Sequence, residues 1–250
     1  MTEHLKKSFE GGVLTLRLDR PEKKNALTRG MYDAMAEGLA AAATHEETRV
    51  VILAGGADFT AGNDLSDFAT VERGRERPGA AFGFLEQIRA FPKPVVAAVR
   101  GVAVGIGTTM LLHCDAVVVA RQARLQMPFS RLALVPEGGS SLLLASRVGS
   151  ALASWWLMSG EAFSGEEAAR AGLALRAVED GQVEAEAVAI AAQLAALPAG
   201  ALAETKRLLR EPLREELDAV MAAERESFSR QLLTPEAQAV FAAFLARKKA

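Results

Sequence analysis

Residues Gly101 to Ala120 read GVAVGIGTTMLLHCDAVVVA, and the fold turns on how this stretch is understood. It contains no Lys or Arg and is long enough to cross a bilayer if it were one helix. Gly101, Gly105 and Gly107 interrupt its first half. His113 and Asp115 would sit deep in hydrocarbon at a cost of about 3 kcal/mol for a charged group. The lower-cost solution is a series: a glycine-rich loop, a short apolar helix ending near His113, and a buried strand from Ala116 to Ala120. A buried strand of that kind implies a packed α/β interior.

The same alternation extends in both directions. Val13 to Asp19 places Leu14, Leu16 and Leu18 on one face of a strand that ends at Arg20-Pro21. Thr28 is an N-cap for a helix carrying Met31, Met35 and Leu39. Val50 to Leu53 is a buried strand bounded by Gly55-Gly56. Thr70 to Gly79 loses the apolar pattern and reads as a solvated mobile loop. Phe82 to Phe91 resumes helical spacing, and Pro92 and Pro94 impose an extended entry to the strand Val95–Val99. Gly138 to Leu157 reads as helix, Ser164 with Glu167 forms a capping box, and Leu173 to Val178 is a further strand. Beyond Val183 come alanine- and leucine-rich helices with no strand pattern, an all-helical appendage.

Composition narrows the function classes. The chain has 250 residues, 50% of them hydrophobic, enough to bury a full core. Lys and Arg (29) nearly balance Asp and Glu (31), so no basic surplus argues for nucleic acid. The lone Cys114 has no disulfide partner within the chain and no second thiol for a metal site, which fits a reducing cytosol. Met1 to Gly12 lacks the apolar run of a signal peptide. The expectation is a cytoplasmic protein with no membrane partner and no metal.

Three segments carry candidate chemistry. Phe59-Thr60-Ala61-Gly62-Asn63-Asp64-Leu65 follows the strand at Val50–Leu53, and a glycine between small residues lets backbone approach a ligand closely. A tight turn with locally bonded Asn and Asp explains the same residues. Gly101 to Gly107 also follows a strand and opens a helix, whose first N–H groups can meet developing negative charge. Met110 stands where a dinucleotide fingerprint needs its third glycine, and no Walker lysine follows, so nucleotide phosphate is poorly supported. Leu134-Val135-Pro136-Glu137-Gly138-Gly139 sets one carboxylate between an apolar run and a helix start, either as a general base or as a partner of the helix dipole.

Taken together with Arg20-Pro21-Glu22-Lys23-Lys24-Asn25-Ala26-Leu27, these segments resemble the signature regions of the crotonase (enoyl-CoA hydratase/isomerase) superfamily, in order and spacing, from about Phe9 to Val178. The resemblance implies an α/β spiral of strand-strand-helix units with two nearly perpendicular sheets over residues 1–195, and a helical oligomerisation region over 196–250. It implies a homotrimer or a dimer of trimers and an acyl-CoA substrate, with no separate cofactor because coenzyme A is part of the substrate. Lys24, Ala26, Ala61, Gly62, Asp64 and Leu65 would line the coenzyme A region. Asn63 and Ile106 would give backbone N–H groups to the thioester oxygen, an oxyanion hole in which one donor is typically worth ~3 kcal/mol of barrier.

Within the superfamily, hydratases use two glutamates, at positions that align here with Thr109 and Phe129. Neither is a carboxylate, so the two-Glu apparatus is absent. Glu137 matches instead the single catalytic carboxylate of the delta-3, delta-2 enoyl-CoA isomerases, which move a proton from C2 to C4 of one dienolate. Such a base needs apolar surroundings that raise its pKa, and Leu134, Val135 and Phe129 are candidates for that wall. No proton transfer falls to Thr109, so Thr109→Ala is expected to leave isomerisation largely intact. The alternatives are hydration or thioester hydrolysis by a related site, and acyl-CoA binding without catalysis. His113 reads as a structural histidine, Asp115 as a buried backbone acceptor, Trp155-Trp156 as helix packing, and Arg247-Lys248-Lys249-Ala250 as a solvated tail.

Overall fold

The computed structural model describes residues 3–64 and 79–247. Leu65, most of the loop expected from Thr70, and the tail residues 248–250 lie outside the described residues.

A six-stranded sheet forms the centre, in the order β1 (Leu5–Glu10), β2 (Val13–Leu18), β3 (Val50–Ala54), β4 (Val95–Val99), β6 (Ala116–Ala120), β9 (Arg176–Val178). Only β1 and β2 are antiparallel; the other pairs are parallel, in a register that aligns Leu16 with Leu53, Leu53 with Ala97, and Ala97 with Val117. Every residue of β3, β4 and β6 is buried, the property of parallel strands covered on both faces. A second, three-stranded sheet joins β5 (Val102–Val104), β7 (Arg124–Gln126) and β8 (Ala162–Ser164).

The helices follow the sequence with one difference, a break at Gly149. Thr28 caps α1 (Arg29–Thr44), its hydroxyl accepting from the Met31 N–H, and α1 packs on α2 (Gly79–Ala90). The stretch Gly101 to Ala120 resolves as expected into loop, short helix and strand, with α3 (Ile106–Thr109) continuing as a 3-10 turn to His113. Gly138 to Leu157 is not one helix: Gly149, at φ 82°, separates α4 (Ser140–Val148) from α5 (Ser150–Ser159). The Ser164–Glu167 capping box opens α6 (Gly165–Ala171). Trp156 stacks on Phe163 with ring centroids 3.6 Å apart, whereas Trp155 faces outward.

Beyond residue 182 the described residues form helices and no strand, as expected. The first of these helices, α7 (Val183–Ala195), packs across β3, β4 and β6, as part of the core. Next, α8 (Ala199–Arg210) is fastened by Lys206, whose ammonium donates to the Lys93 carbonyl and to Asp115, and by Arg210, which also reaches Asp115. Asp115 accepts the Val95 N–H, as expected of a backbone acceptor, but it sits at the surface rather than buried. The last two, α9 (Arg214–Leu232) and α10 (Pro235–Arg247), fold back so that α9 lies on α4. Among the described residues no single helix is long and apolar enough to cross a membrane.

Candidate active site

Parallel β2, β3 and β4 deliver three loops to one edge of the large sheet, the usual place for ligands in parallel α/β structures. Those loops are sewn to one another. Ala61 N–H donates to the Lys24 carbonyl at 2.8 Å, Leu27 N–H to the Gly62 carbonyl at 2.7 Å, and Asp64 N–H to the Leu27 carbonyl at 2.9 Å. The Thr60 hydroxyl donates to the Asn25 carbonyl, the Asn25 amide to the Asp58 carbonyl, and the Arg20 guanidinium to Asp64 and to the Ala26 carbonyl. Lys24, Ala26, Ala61, Gly62 and Asp64 are thereby brought together. Lys24 is exposed and in the left-handed region at φ 48°, with Asp58 3.7 Å from its ammonium. Asp64 is bound inward, so its contribution here is to hold the loop.

Glycine is required where the loops meet. A Cβ on Gly62, at φ 84°, would stand 2.5 Å from the Val104 carbonyl oxygen, and one on Gly107 would stand 2.5 Å from the Thr60 methyl. This close approach places Asn63 and Ile106 on the wall of one cavity of about 270 Å³, with Ala61, Gly62, Val104 and Gly105. Ile106 is the first residue of α3, so its N–H has no partner within the helix. Among the described residues neither the Asn63 nor the Ile106 N–H donates to a protein acceptor. The Asn63 side chain is itself fixed by the buried Tyr32 hydroxyl, which donates to its Oδ1.

The far wall of the cavity is apolar: Pro128, Phe129, Leu132, Leu134 and, from α9, Phe228. Phe129 and Leu134, expected from the sequence as apolar surroundings of Glu137, line this cavity, whereas Val135 is half-buried and packs against the core. Phe228, held edge-on by Phe82 at 5.8 Å, is a residue that sequence reasoning missed. Its spacing on a helix reads as ordinary core, and only the fold-back of α9 brings it to the cavity.

Glu137 follows this wall on the same segment and is 5% exposed, without lining the cavity itself. Thr109, fully buried on α3, donates its hydroxyl to Glu137 Oε1. The two positions that mark a hydratase are therefore a hydroxyl on the carboxylate and an aromatic ring on the cavity. The sequence assigns Thr109 no proton transfer, and the structure adds a hydrogen-bonding contact to Glu137 that the sequence does not anticipate. Burial pushes the Glu137 carboxyl up to about 8, the Thr109 hydrogen bond opposes that shift, and the nearby charge of Glu224 adds to it.

The loop after Glu137 is clamped on both sides. His113 Nε2 lies 2.7 Å from the Gly138 carbonyl, and burial lowers its pKa to about 4, so the neutral ring donates there. From α9, Glu224 accepts the Gly139 N–H at 2.6 Å, the Ser141 N–H at 2.9 Å and the Ser141 hydroxyl at 2.6 Å. His113 is the satisfied structural histidine that the sequence suggests, and it also supports the loop that follows Glu137. Among the described residues no cluster of His, Cys, Asp and Glu could hold a metal ion.

A buried carboxylate of raised pKa, on the segment that walls an apolar cavity bearing two N–H groups without an acceptor among the described residues, is compatible with enolate chemistry at a carbonyl. The sequence profile of the enoyl-CoA hydratase/isomerase family matches residues 8–250, and the chain belongs to that family, within the crotonase superfamily. It is 33% identical over 244 residues to enoyl-CoA delta isomerase 2 of Rattus norvegicus, covering 96% of this chain and 62% of that protein. The chain thus spans less than two thirds of the length of that curated delta isomerase. It is 32% identical to the 2,3-dehydroadipyl-CoA hydratase of Escherichia coli, over 94% of this chain and 93% of that one. Among solved structures, Pseudomonas aeruginosa OdaA superposes with a TM-score of 0.93 at 48% identity, covering 97% of this chain and 99% of that chain. An enoyl-CoA hydratase/isomerase from Pseudoalteromonas atlantica gives 0.92 at 40% identity, with 98% of each chain covered. The α/β crotonase fold with its helical C-terminal region is therefore that of this protein.

Proposed function

We propose that this protein is an enoyl-CoA isomerase that shifts the double bond of a 3-enoyl-CoA to the 2-position. The observation that carries this reading is Glu137, a single buried carboxylate of raised pKa whose hydratase-type companions are Thr109 and Phe129. The thioester oxygen would sit between the Asn63 and Ile106 N–H groups. Glu137 takes the C2 proton; the C–H electrons form the C1–C2 double bond of a dienolate, whose oxygen charge those donors receive. The same carboxyl returns the proton at C4, and the new C2–C3 double bond forms as the oxyanion collapses. One base suffices, and a pKa well above the ordinary carboxylate range makes return of the proton as feasible as its removal.

In the same reading, Lys24, Ala26, Ala61, Gly62, Asp64 and Leu65 serve the coenzyme A moiety, and no separate cofactor takes part. The purified protein should convert 3-enoyl-CoA to 2-enoyl-CoA, with products identified by chromatography and mass. Glu137→Gln should lower the rate by at least ~100-fold while retaining acyl-CoA binding. 3-Hydroxyacyl-CoA or free acid as the main product would replace isomerisation with hydration or hydrolysis. Binding without turnover, indifferent to Glu137→Gln, would identify a carrier instead.

A further inference from the structure

We propose that Thr109 and Glu224 are the positioning residues of Glu137: Thr109 holds Oε1 so that Oε2 carries the transferred proton, and Glu224 clamps the following loop from α9. The inference rests on the reading of Glu137 as the isomerase base.

The geometry begins with Thr109. Its side chain is fully buried, and its hydroxyl donates to Glu137 Oε1. A hydroxyl supplies one proton, so this bond orients one carboxylate oxygen and leaves the other without that donor. In the protonated state the acidic hydrogen then resides on Oε2, because Oε1 is already an acceptor. A 1,3-shift needs one oxygen that can swing between C2 and C4, and a carboxyl pinned at its other oxygen pivots without losing its place.

Glu224 supplies the second constraint from a distant part of the chain. Its two oxygens take three donors from Gly139 and Ser141, at the start of α4 and directly after the base. Gly139 adopts φ 75°, and a Cβ there would collide with Leu217 of α9, so the loop and the helix are fitted to each other. Leu217, Met221, Glu224 and Phe228 recur at helical spacing, so one face of α9 touches Gly139, bonds Ser141 and closes the acyl cavity. Glu224 is also the charge that acts on Glu137 across this loop. His113, the other titratable group packed on it, is neutral; Arg89, Arg147 and Arg210 act on His113.

The two residues push the base in opposite directions. The Thr109 hydrogen bond favours the ionised carboxylate and the Glu224 charge disfavours it. Thr109→Val, which keeps shape and removes the hydroxyl, should therefore move the acid limb of the kcat/KM profile to higher pH and lower kcat about tenfold. Thr109→Ser should restore both, and Thr109→Ala serves if the valine variant does not fold. Glu224→Gln should move the limb to lower pH while kcat falls, because one loop donor loses its acceptor. The titration of Glu137 itself is read without substrate, from its carboxyl infrared band in the full-length protein, assigned by difference against Glu137→Gln. Opposite displacements of that titration's midpoint, upward in Thr109→Val and downward in Glu224→Gln, support the proposal. Unmoved or like-signed displacements overturn it, even if 2-enoyl-CoA is formed. Opposite displacements in a protein that yields no 2-enoyl-CoA would leave the positioning intact and sink the isomerase reading instead.

Discussion

Replacing Glu137 by Gln tests the electrostatics of the site through stability, independently of any substrate. In the folded protein burial pushes this carboxyl from 4.5 to about 8. Between those values the folded state holds a proton that the unfolded chain has released. The unfolding free energy therefore falls as pH rises, by at most ~1.4 kcal/mol per pH unit. Below 4.5 both states are protonated and nothing is lost; above about 8 both are ionised and the loss is complete. Glutamine imitates the protonated acid, since its carbonyl can still accept from Thr109, but it does not titrate. Wild type and variant should thus unfold at similar urea concentrations at pH 5. By pH 8 the variant should be the more stable, by on the order of 3 kcal/mol. The measurement is urea unfolding of both proteins across pH 5 to 8 at one fixed protein concentration, so that assembly does not confound it. A wild-type-to-variant difference that stays constant over this range would refute a buried, proton-retaining Glu137.

Three further outcomes follow from other parts of the structure. Gly107→Val must displace Thr60 from the loop junction, so turnover should collapse while circular dichroism stays native; full activity would contradict the placement of the Ile106 N–H. Asp64→Asn weakens the ion pair to Arg20, 2.8 Å long with both side chains largely covered, and should raise KM for acyl-CoA more than it lowers kcat; steady-state kinetics decide, and an unchanged KM would free these loops from coenzyme A binding. Trp155, Met158, Leu208 and Leu209 are each more than half exposed, an apolar surface expected to be covered by other copies of the chain, so sedimentation should show a trimer or a dimer of trimers; a stable monomer at micromolar concentration would count against it.

The central strands were legible because burial on both faces leaves an unbroken apolar run, as at Val50–Ala54 and Ala116–Ala120. By contrast β1 escapes such reading: it is an edge strand, LKKSFE, with one buried residue, and its signature is the Gly11-Gly12 turn, with φ 56° and 80°, that pairs it with β2. Likewise β7 and β8 are three residues each, too short for alternation to register. The break at Gly149 is hidden by apolar residues that continue helical spacing on both sides.

The candidate site divides along the same physical line. Asn63, Ile106 and Glu137 lie in local segments whose glycines and strand ends announce them, because close backbone approach constrains neighbouring residues. Thr109, Glu224 and Phe228 carry no local mark. Thr109 is a small residue in a short helix, Glu224 is one of several glutamates on α9, and Phe228 has the spacing of core packing. Thr109 meets Glu137 from α3 across 28 residues, and the contacts of Glu224 and Phe228 arise only when α9 returns over α4 and joins groups 85 residues apart. Glu137 is thus written into one segment of the chain, while its proton affinity is set by burial and by Thr109 and Glu224, which only the fold brings to it. For this reason a change in α9, far from Glu137 in sequence, should alter the pH dependence of the site.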